Sequence, residues 1–185
     1  RPKPISDIHP MLLGNFAKDG GHLICDKSDV DLLDSKAKNF LRPMYGGNEF
    51  ISGKCRFCFW IDESEYKEAV QIPELARRFE LVAQSRLNSP KQATSKWHQK
   101  PYQFVEVRSP SYKSAMILPI VSSERREYFP IGFLPRNSIV NYAFALYDAE
   151  LWNLSLIASR MHQIWIATVC GRMKSDYRYS NTLGW

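Results

Sequence analysis

Hydrophobic positions recur every three or four residues between residues 150 and 170. These positions are Leu151, Leu154, Ala158, Met161, Trp165 and Thr168. The spacing places them on one face of a helix, and Gly171 is suited to end that helix as a C-terminal cap. The pattern therefore predicts one long C-terminal helix whose apolar face belongs to the core, with His162 packed rather than ligating.

A second helical pattern covers residues 64–88. Pro73 suits the first turn of a helix, and the apolar positions after it are Leu75, Phe79, Val82 and Leu87. The opposite face is predicted to carry Arg77, Arg78 and Arg86. A shorter helix is predicted over 29–40, ending before Pro43, because acidic residues begin it and lysines end it, which suits the helix dipole.

Short runs of β-branched and aromatic residues predict strands elsewhere. One covers residues 55–61, and others cover 103–107, 116–121, 128–134 and 139–146. Prolines interrupt the later runs, at Pro101, Pro110, Pro119, Pro130 and Pro135, which favours irregular or edge strands. The predicted fold class is α+β, with mixed irregular strands packed on the long C-terminal helix. Residues 1–28, with the turn signal Asp19-Gly20-Gly21, are predicted to form a connecting arm before a domain at 29–185.

The chain carries a formal charge of +6 and has a sequence pI of about 9.2. This balance suits a polyanionic partner, and by itself it leaves DNA, RNA and an acidic membrane open. No apolar run approaches the roughly 20 residues that a membrane span needs. The opening residues lack an initiator Met and do not form a signal peptide, so we expect a piece of a longer polypeptide.

The cysteines and the candidate metal ligands do not change the expected class of protein. Four cysteines without the spacing of a disulfide framework favour a reducing compartment, and we expect a cytoplasmic protein. Cys55-Arg56-Phe57-Cys58 lacks the second ligand pair that a structural zinc requires, so ordinary buried thiols are predicted. Asp62, Glu65 and Lys67 mimic half of a metal-dependent nuclease site, which stays open as an alternative function.

Methyltransferase chemistry needs a glycine-rich cofactor loop and an Asn/Asp-Pro-Pro-Tyr/Phe motif, and the chain contains neither. No Gly-x-Ser-x-Gly motif surrounds Ser122 or Ser123, so a hydrolase is not indicated. The absence of a complete catalytic site favours a binding module over an enzyme. Two kinds of module remain, one that binds DNA and one that only orients a separate protein.

Successive blocks of the chain resemble a known family. The blocks lie at 20–24, 40–43, 49–51, 58–60, 119–133, 159–165 and 170–180. The longest of them contains Ser122-Ser123-Glu124-Arg125-Arg126-Glu127-Tyr128-Phe129-Pro130. Together they resemble the MmeI-like target recognition domain of type IIL restriction–modification enzymes, which are also adenine-specific DNA methyltransferases. The resemblance covers most of the chain, but the Phe-Pro that usually follows the last block is missing after residue 185.

The resemblance implies a prokaryotic polypeptide in which a nuclease and an adenine-N6 methyltransferase precede this domain. S-adenosylmethionine, and Mg²⁺ for any nuclease, would then belong to those upstream parts, with no cofactor or metal in this domain. It also implies duplex DNA as the partner, together with the methyltransferase domain of the same chain. Whether such a parent cleaves DNA stays open.

Base-reading residues are predicted near the end of the chain. Lys174, Asp176 and Arg178 alternate, so an extended segment would present all three on one face. Lysine can donate to guanine O6 and N7, and aspartate can accept from cytosine N4, so this pair could span one G·C base pair. The alternative is an exposed strand with an ordinary ladder of ion pairs.

The resemblance adds further candidates. It implies that the positions of Asn141 and Tyr142 vary with the recognised sequence, as do those of the three residues above. Contacts to the DNA backbone, or a scaffold role, are predicted for Ser122, Ser123, Arg125, Arg126 and Arg172. Glu124 is predicted to pair with an arginine inside the domain.

Overall fold

A computed structural model describes residues 8–108 and 113–185, so residues 1–7 and 109–112, which include Pro110, lie outside the described part. The chain divides into two compact units. Of the described residues, the first unit comprises 8–14, 45–54, 108 and 113–185, and the second comprises 15–44 and 55–107. Residues 8–28 contribute a strand to each unit, and their role as a connecting arm stays a prediction. No helix in the described part combines the length and hydrophobicity that crossing a membrane requires.

The second unit contains a small antiparallel sheet with helices around it. Its strands are β2 (Ile24–Cys25), β4 (Arg56–Phe59) and β3 (Leu41–Tyr45), in the order β2-β4-β3. The strand predicted at 55–61 is therefore confirmed. The run at 103–107 forms only an isolated bridge, between Phe16 and Glu106, so the strand predicted there is wrong.

The helices of the second unit are mostly short. They are α1 (Lys27–Leu32), α2 (Ser35–Lys38), α4 (Tyr66–Ala69), α5 (Pro73–Leu87), α6 (Gln92–Ser95) and a 3₁₀ turn (Lys96–Gln99). The single helix predicted over 29–40 is wrong, because Leu33 is extended and the Asp34 carboxylate accepts from the Lys36 amide to start a new helix. The predicted helix from Pro73 is confirmed, with Pro73 in its first turn.

Arg86 corrects the prediction of an arginine face on α5. Its side chain is fully buried, and the guanidinium donates to five backbone carbonyls. These belong to Ala17 (2.9 Å), Lys18 (3.0 Å), Trp97 (3.1 Å), Lys100 (2.8 Å) and Gln103 (2.6 Å). Burial lowers the pKa of Arg86 to about 10, so the group stays charged at neutral pH. Arg86 thus joins two segments that are distant in sequence.

The first unit is built around a four-stranded antiparallel sheet. Its order is β1 (Leu12–Leu13), β9 (Phe144–Tyr147), β5 (Ala115–Leu118) and β7 (Gly132–Phe133). A further short strand, β8, covers Ile139–Val140, and helix α3 covers Gly47–Ser52. Every residue of β5 is buried, and Met116 faces Leu146 across the sheet in a core that also includes Ile157 and Ile166. The predicted strands exist but are shorter than the apolar runs.

The long C-terminal helix is wrong in the form predicted. Two helices stand in its place, α7 (Leu151–Ile157) and α8 (Arg160–Val169). Ser159 separates them: its backbone is extended and its hydroxyl accepts from the His162 amide, so it caps a new helix.

The break also changes which residues are buried. The buried positions of the two helices are Asn153, Ile157, His162, Gln163 and Ile166. By contrast Leu151, Met161 and Trp165, which were predicted in the core, are exposed. Because α8 begins at a new cap, its buried side is not the continuation of the buried side of α7. A three-to-four-residue period fitted over both helices therefore assigns the wrong residues to the core.

Candidate nucleic-acid interface

A tight β-hairpin carries most of the predicted base-reading residues. Strands β10 (Arg172–Met173) and β11 (Asp176–Arg178) pair antiparallel, with Met173 opposite Asp176. Strand β6 (Val121–Ser122) pairs with the other edge of β11, which places Ser122 opposite Tyr177. The loop between the strands is only Lys174 and Ser175, so the tip of the hairpin is narrow.

The two faces of β11 differ. Tyr177 is half-buried, with its ring centroid 6.0 Å from that of the buried Phe129. Asp176 and Arg178 alternate with Tyr177 and therefore point away from it, as the sequence pattern predicted. Asp176 is partly exposed and Arg178 is exposed.

Lys174 departs from the extended segment that the alternation predicted for it. It lies in the turn rather than in a strand, it is exposed, and its φ of 58° is in the left-handed region. Within the described part of the chain, none of Lys174, Asp176 and Arg178 forms an ion pair, so the alternative of an ordinary ion ladder does not describe this surface. Their charges remain available to a ligand.

Arg172 braces the hairpin from one side. Its Nη1 donates to Glu124 Oε2 at 3.0 Å and to the Ser175 carbonyl at 2.9 Å. The guanidinium also lies 4.8 Å from the centre of the Tyr177 ring, within the range of a cation–π contact. The predicted pairing of Glu124 with an arginine is confirmed, and the partner holds the loop that carries Lys174.

The segment after β6 forms a turn that places two arginines at the surface. The Ser123 carbonyl accepts from the Arg126 amide at 3.1 Å, and its hydroxyl accepts from the Arg125 amide at 3.3 Å. Helix α8 supports this turn, because Gln163 Nε2 donates to the Arg126 carbonyl at 2.6 Å. Arg125 and Arg126 are exposed, whereas Ser122 is buried in its strand.

Asn141 and Tyr142 lie on a different loop of the same unit, between β8 and β9. The Asn141 amide donates to the Tyr45 carbonyl at 2.9 Å, which anchors the loop. Tyr142 has a φ of 49° and is 64% exposed. Two of the five predicted base-reading residues, Tyr142 and Lys174, thus hold left-handed backbone without being glycine. Such strain concentrates at functional sites.

A buried pair below the hairpin was partly missed by the sequence pattern. His162 Nε2 lies 2.8 Å from the Tyr179 hydroxyl, one residue beyond β11. Burial lowers the pKa of His162 to about 4 and raises the pKa of Tyr179, so both are neutral at pH 7. The packing role predicted for His162 fits this contact, but only the folded chain shows that Tyr179 anchors the end of the hairpin to α8.

The residues considered for other chemistry are engaged locally. Glu65 Oε2 accepts from the Asp62 amide at 2.9 Å, which closes the turn before α4. Cys58 is fully buried in β4, and burial raises the pKa of its thiol. In residues 8–108 and 113–185 no three His, Cys, Asp or Glu side chains come close enough to hold a metal ion together.

The first unit thus presents charged side chains on a two-stranded hairpin that Arg172 stabilises, a shape that the major groove of B-DNA can admit. The family described as "MmeI, target recognition domain" matches residues 1–185. The chain belongs to this family, which confirms the resemblance in the sequence blocks.

Two similar proteins extend this finding. DNA methyltransferase A of Bacillus subtilis (strain 168) is 34% identical over 184 residues, which cover 97% of this chain and 21% of that protein. The solved structure of the type IIL restriction-modification enzyme MmeI in complex with DNA matches with a TM-score of 0.93 and 31% identity. That match covers 99% of this chain and 25% of the other, and it confirms the α+β fold class. The chain thus spans a quarter or less of the length of these relatives.

Proposed function

We propose that this domain recognises a specific duplex DNA sequence and positions it for a methyltransferase domain in the same polypeptide. The observation that carries the proposal is the β10–β11 hairpin, which has charged side chains at its tip and along one face that form no ion pair with any described residue. The major groove of B-DNA admits a two-stranded β-ribbon. The MmeI structure, which was solved with DNA, supports DNA as the ligand.

The hairpin supplies the donors and acceptors that base edges require. Lys174 at the tip would donate to guanine O6 and N7, and Asp176 would accept from cytosine N4. Arg178, two residues further along the same face, would reach a neighbouring purine or a phosphate. We propose Asn141 and Tyr142 as a second reading loop, since Tyr142 is exposed and has the left-handed backbone that is enriched at functional sites.

Other residues would position the domain without reading bases. Arg125 and Arg126 are exposed on a supported turn and are suited to phosphates. Ser122 is buried, and Ser123 and Arg172 are engaged in holding the turn and the hairpin, so we assign these three to the scaffold. The net charge of +6 agrees with a ligand that releases counterions on binding.

The catalytic steps would belong to the rest of the parent polypeptide. We propose that the parent transfers a methyl group from S-adenosylmethionine to adenine N6, with Mg²⁺ needed only for an accompanying nuclease. DNA methyltransferase A, which is about five times longer than its matching segment, supports this assignment. The expected setting is the prokaryotic cytoplasm.

Exchanging the charges on the hairpin tests base reading. In the full-length parent, Lys174→Glu combined with Asp176→Arg places an acceptor where the donor stood and a donor where the acceptor stood. The methylated motif, mapped by long-read sequencing, should change from G·C to C·G at one position. Each single change should weaken the cognate site by about 1–3 kcal/mol.

The matched control is Lys38→Glu with Asp31→Arg, which makes the same charge changes at exposed positions of the second unit. The control should leave the motif unaltered. Normal activity on an unchanged motif in the hairpin variant would refute base reading by Lys174 and Asp176. A change at another position would show that the residues read a different base pair.

Salt dependence tests the phosphate contacts. Arg125→Ala and Arg126→Ala should weaken binding equally on all sequences and reduce the slope of log K against log salt by about one unit per lost contact. A mainly apolar protein interface would show little salt dependence, which would favour the module that only orients a separate protein.

A further inference from the structure

Helix α8 presents an apolar face to solvent. Met161 is 81% exposed, Ile164 is 64% exposed and Trp165 is 52% exposed. Their spacing of three and four residues places them on one side of the helix. Leu183, 52% exposed, adjoins them, because the Trp165 indole donates to its carbonyl at 3.1 Å. We call Met161, Ile164, Trp165 and Leu183 the α8 face.

The composition of α8 is unusual for a helix that borders water. Only Arg160, at its first position, is charged among its ten residues. The opposite side of the helix is already occupied, since His162, Gln163 and Ile166 are buried. Both sides of α8 are therefore suited to burial, and an exposed apolar helix face is typical of an interaction site.

DNA does not fit this face. Phosphates are bound by lysine, arginine, hydroxyl and amide donors, and the four side chains of the α8 face provide only an indole N–H, which already donates to Leu183. The exposed side chains of Arg125 and Arg126 belong to the turn before Phe129, which contacts α8 through Gln163 and Arg160 rather than through the α8 face. An apolar protein surface is the partner that the α8 face would bind.

We propose that the α8 face docks this domain onto the catalytic part of its own polypeptide. The inference rests on the proposed function, because it takes the parent to carry a methyltransferase domain. The support is the length of chain outside this domain: the match covers only 21% of DNA methyltransferase A and 25% of the MmeI chain, so three quarters or more of such a polypeptide lies outside a domain of this size and could cover the face. A partner in the same chain has a high effective concentration and therefore outcompetes a second copy.

Oxidative footprinting of the full-length parent without DNA tests the docking. Hydroxyl radicals oxidise exposed methionine, and the chain provides an internal reference, Met173, which is 50% exposed on the hairpin. If the α8 face were free, Met161 would react at least as fast as Met173. If the α8 face is docked, Met161 should be oxidised at least about fivefold more slowly than Met173, because the core of an interface excludes water as a protein interior does.

The same experiment separates docking from DNA reading. Met173 lies opposite Asp176, so cognate DNA should protect Met173 and leave Met161 unchanged. Lack of Met173 protection would count against the proposed function, whereas free Met161 would overturn the docking. Protection of Met161 that disappears on dilution would identify a second copy as the occupant, and protection that requires DNA would identify DNA. Either result would overturn the proposal.

A charge variant gives an independent readout. In the full-length parent, Ile164→Glu should raise the oxidation rate of Met161 toward that of Met173 and lower the cooperativity of thermal unfolding between the domains. The matched control is Leu32→Glu, an exposed leucine of the second unit with 88% exposure. Equal behaviour of the two variants would overturn the docking, whatever the effect on the methylated motif.

Discussion

Substitution of the turn residue Lys174 tests two properties at one position, the strain of its backbone and its proposed reading of a base. Its φ of 58° is left-handed, and a residue with a Cβ pays about 1–2 kcal/mol there. Lys174→Gly removes this strain but gains backbone freedom in the unfolded chain, which costs about 0.5–1 kcal/mol. We therefore expect a net gain of up to roughly 1.5 kcal/mol in the free energy of unfolding, equivalent to a rise in Tm of up to about 6 °C for a chain of this size.

The substitution should also remove the donor at the hairpin tip. Discrimination at one base pair should fall by about 1–3 kcal/mol, or roughly 5- to 150-fold, if Lys174 reads a base. The assay combines calorimetric unfolding with binding to the cognate duplex and to duplexes changed at single positions. A more stable but less selective domain is the expected outcome.

Two further variants sharpen the stability test. Lys174→Val should be less stable than the native chain, because a β-branched residue tolerates left-handed backbone poorly. Lys54→Gly is the matched control, since Lys54 is exposed in the same unit and its φ is not positive. It should lose about 0.5–1 kcal/mol. If Lys174→Gly loses as much as Lys54→Gly, the backbone strain argument is refuted.

Three more outcomes can be measured. Arg86→Met should lower the free energy of unfolding in urea by about 3–5 kcal/mol, because the fully buried guanidinium donates to five carbonyls, one buried and four partly buried, which all lose their donor; a loss below about 1 kcal/mol would contradict this role. Glu124→Gln removes a negative charge near the hairpin, so charge alone predicts tighter DNA binding at every sequence. If the contact between Glu124 and Arg172 positions the hairpin for base reading, the affinities for cognate and non-cognate duplexes should instead converge. An unchanged ratio of these two affinities would contradict that positioning role. His162 has a pKa of about 4 when folded against a usual value of 6.5. Between these values the unfolded chain binds a proton that the folded chain does not, so stability should fall by up to about 3 kcal/mol as pH drops from 6.5 to 4. His162→Gln should lack this part of the acid sensitivity, and identical pH curves would refute the assignment.

Local signals in the sequence identified some elements correctly. Helix α5 follows from Pro73 and a 3.6-residue period, both of which act within a few residues. The strand around Cys58 follows from its aromatic neighbours. Asp176 and Arg178 share a face because alternation is a property of any extended strand.

Non-local contacts account for what the sequence pattern missed. Arg86 was predicted on a solvated face, but its acceptors lie 11 to 69 residues away along the chain. Lys174 was predicted in an extended segment because it alternates with Asp176 and Arg178. The contacts of Arg172 with Glu124 and with the Ser175 carbonyl exist only once the hairpin has formed. The core face of residues 151–169 was misassigned because Ser159 acts as a cap rather than as a helix interior residue.

The amino-acid sequence by itself determined the family, the class of module and the charge that suits a polyanion, because long ordered blocks and composition do not depend on geometry. It also determined which residue types are available to read bases. The tertiary structure decided which of them are accessible: it buried Ser122 and paired Arg172 with Glu124, and it left Lys174, Asp176 and Arg178 without an ion pair to any residue of 8–108 or 113–185. Presentation depends on contacts between distant segments, and these exist only when the chain has folded.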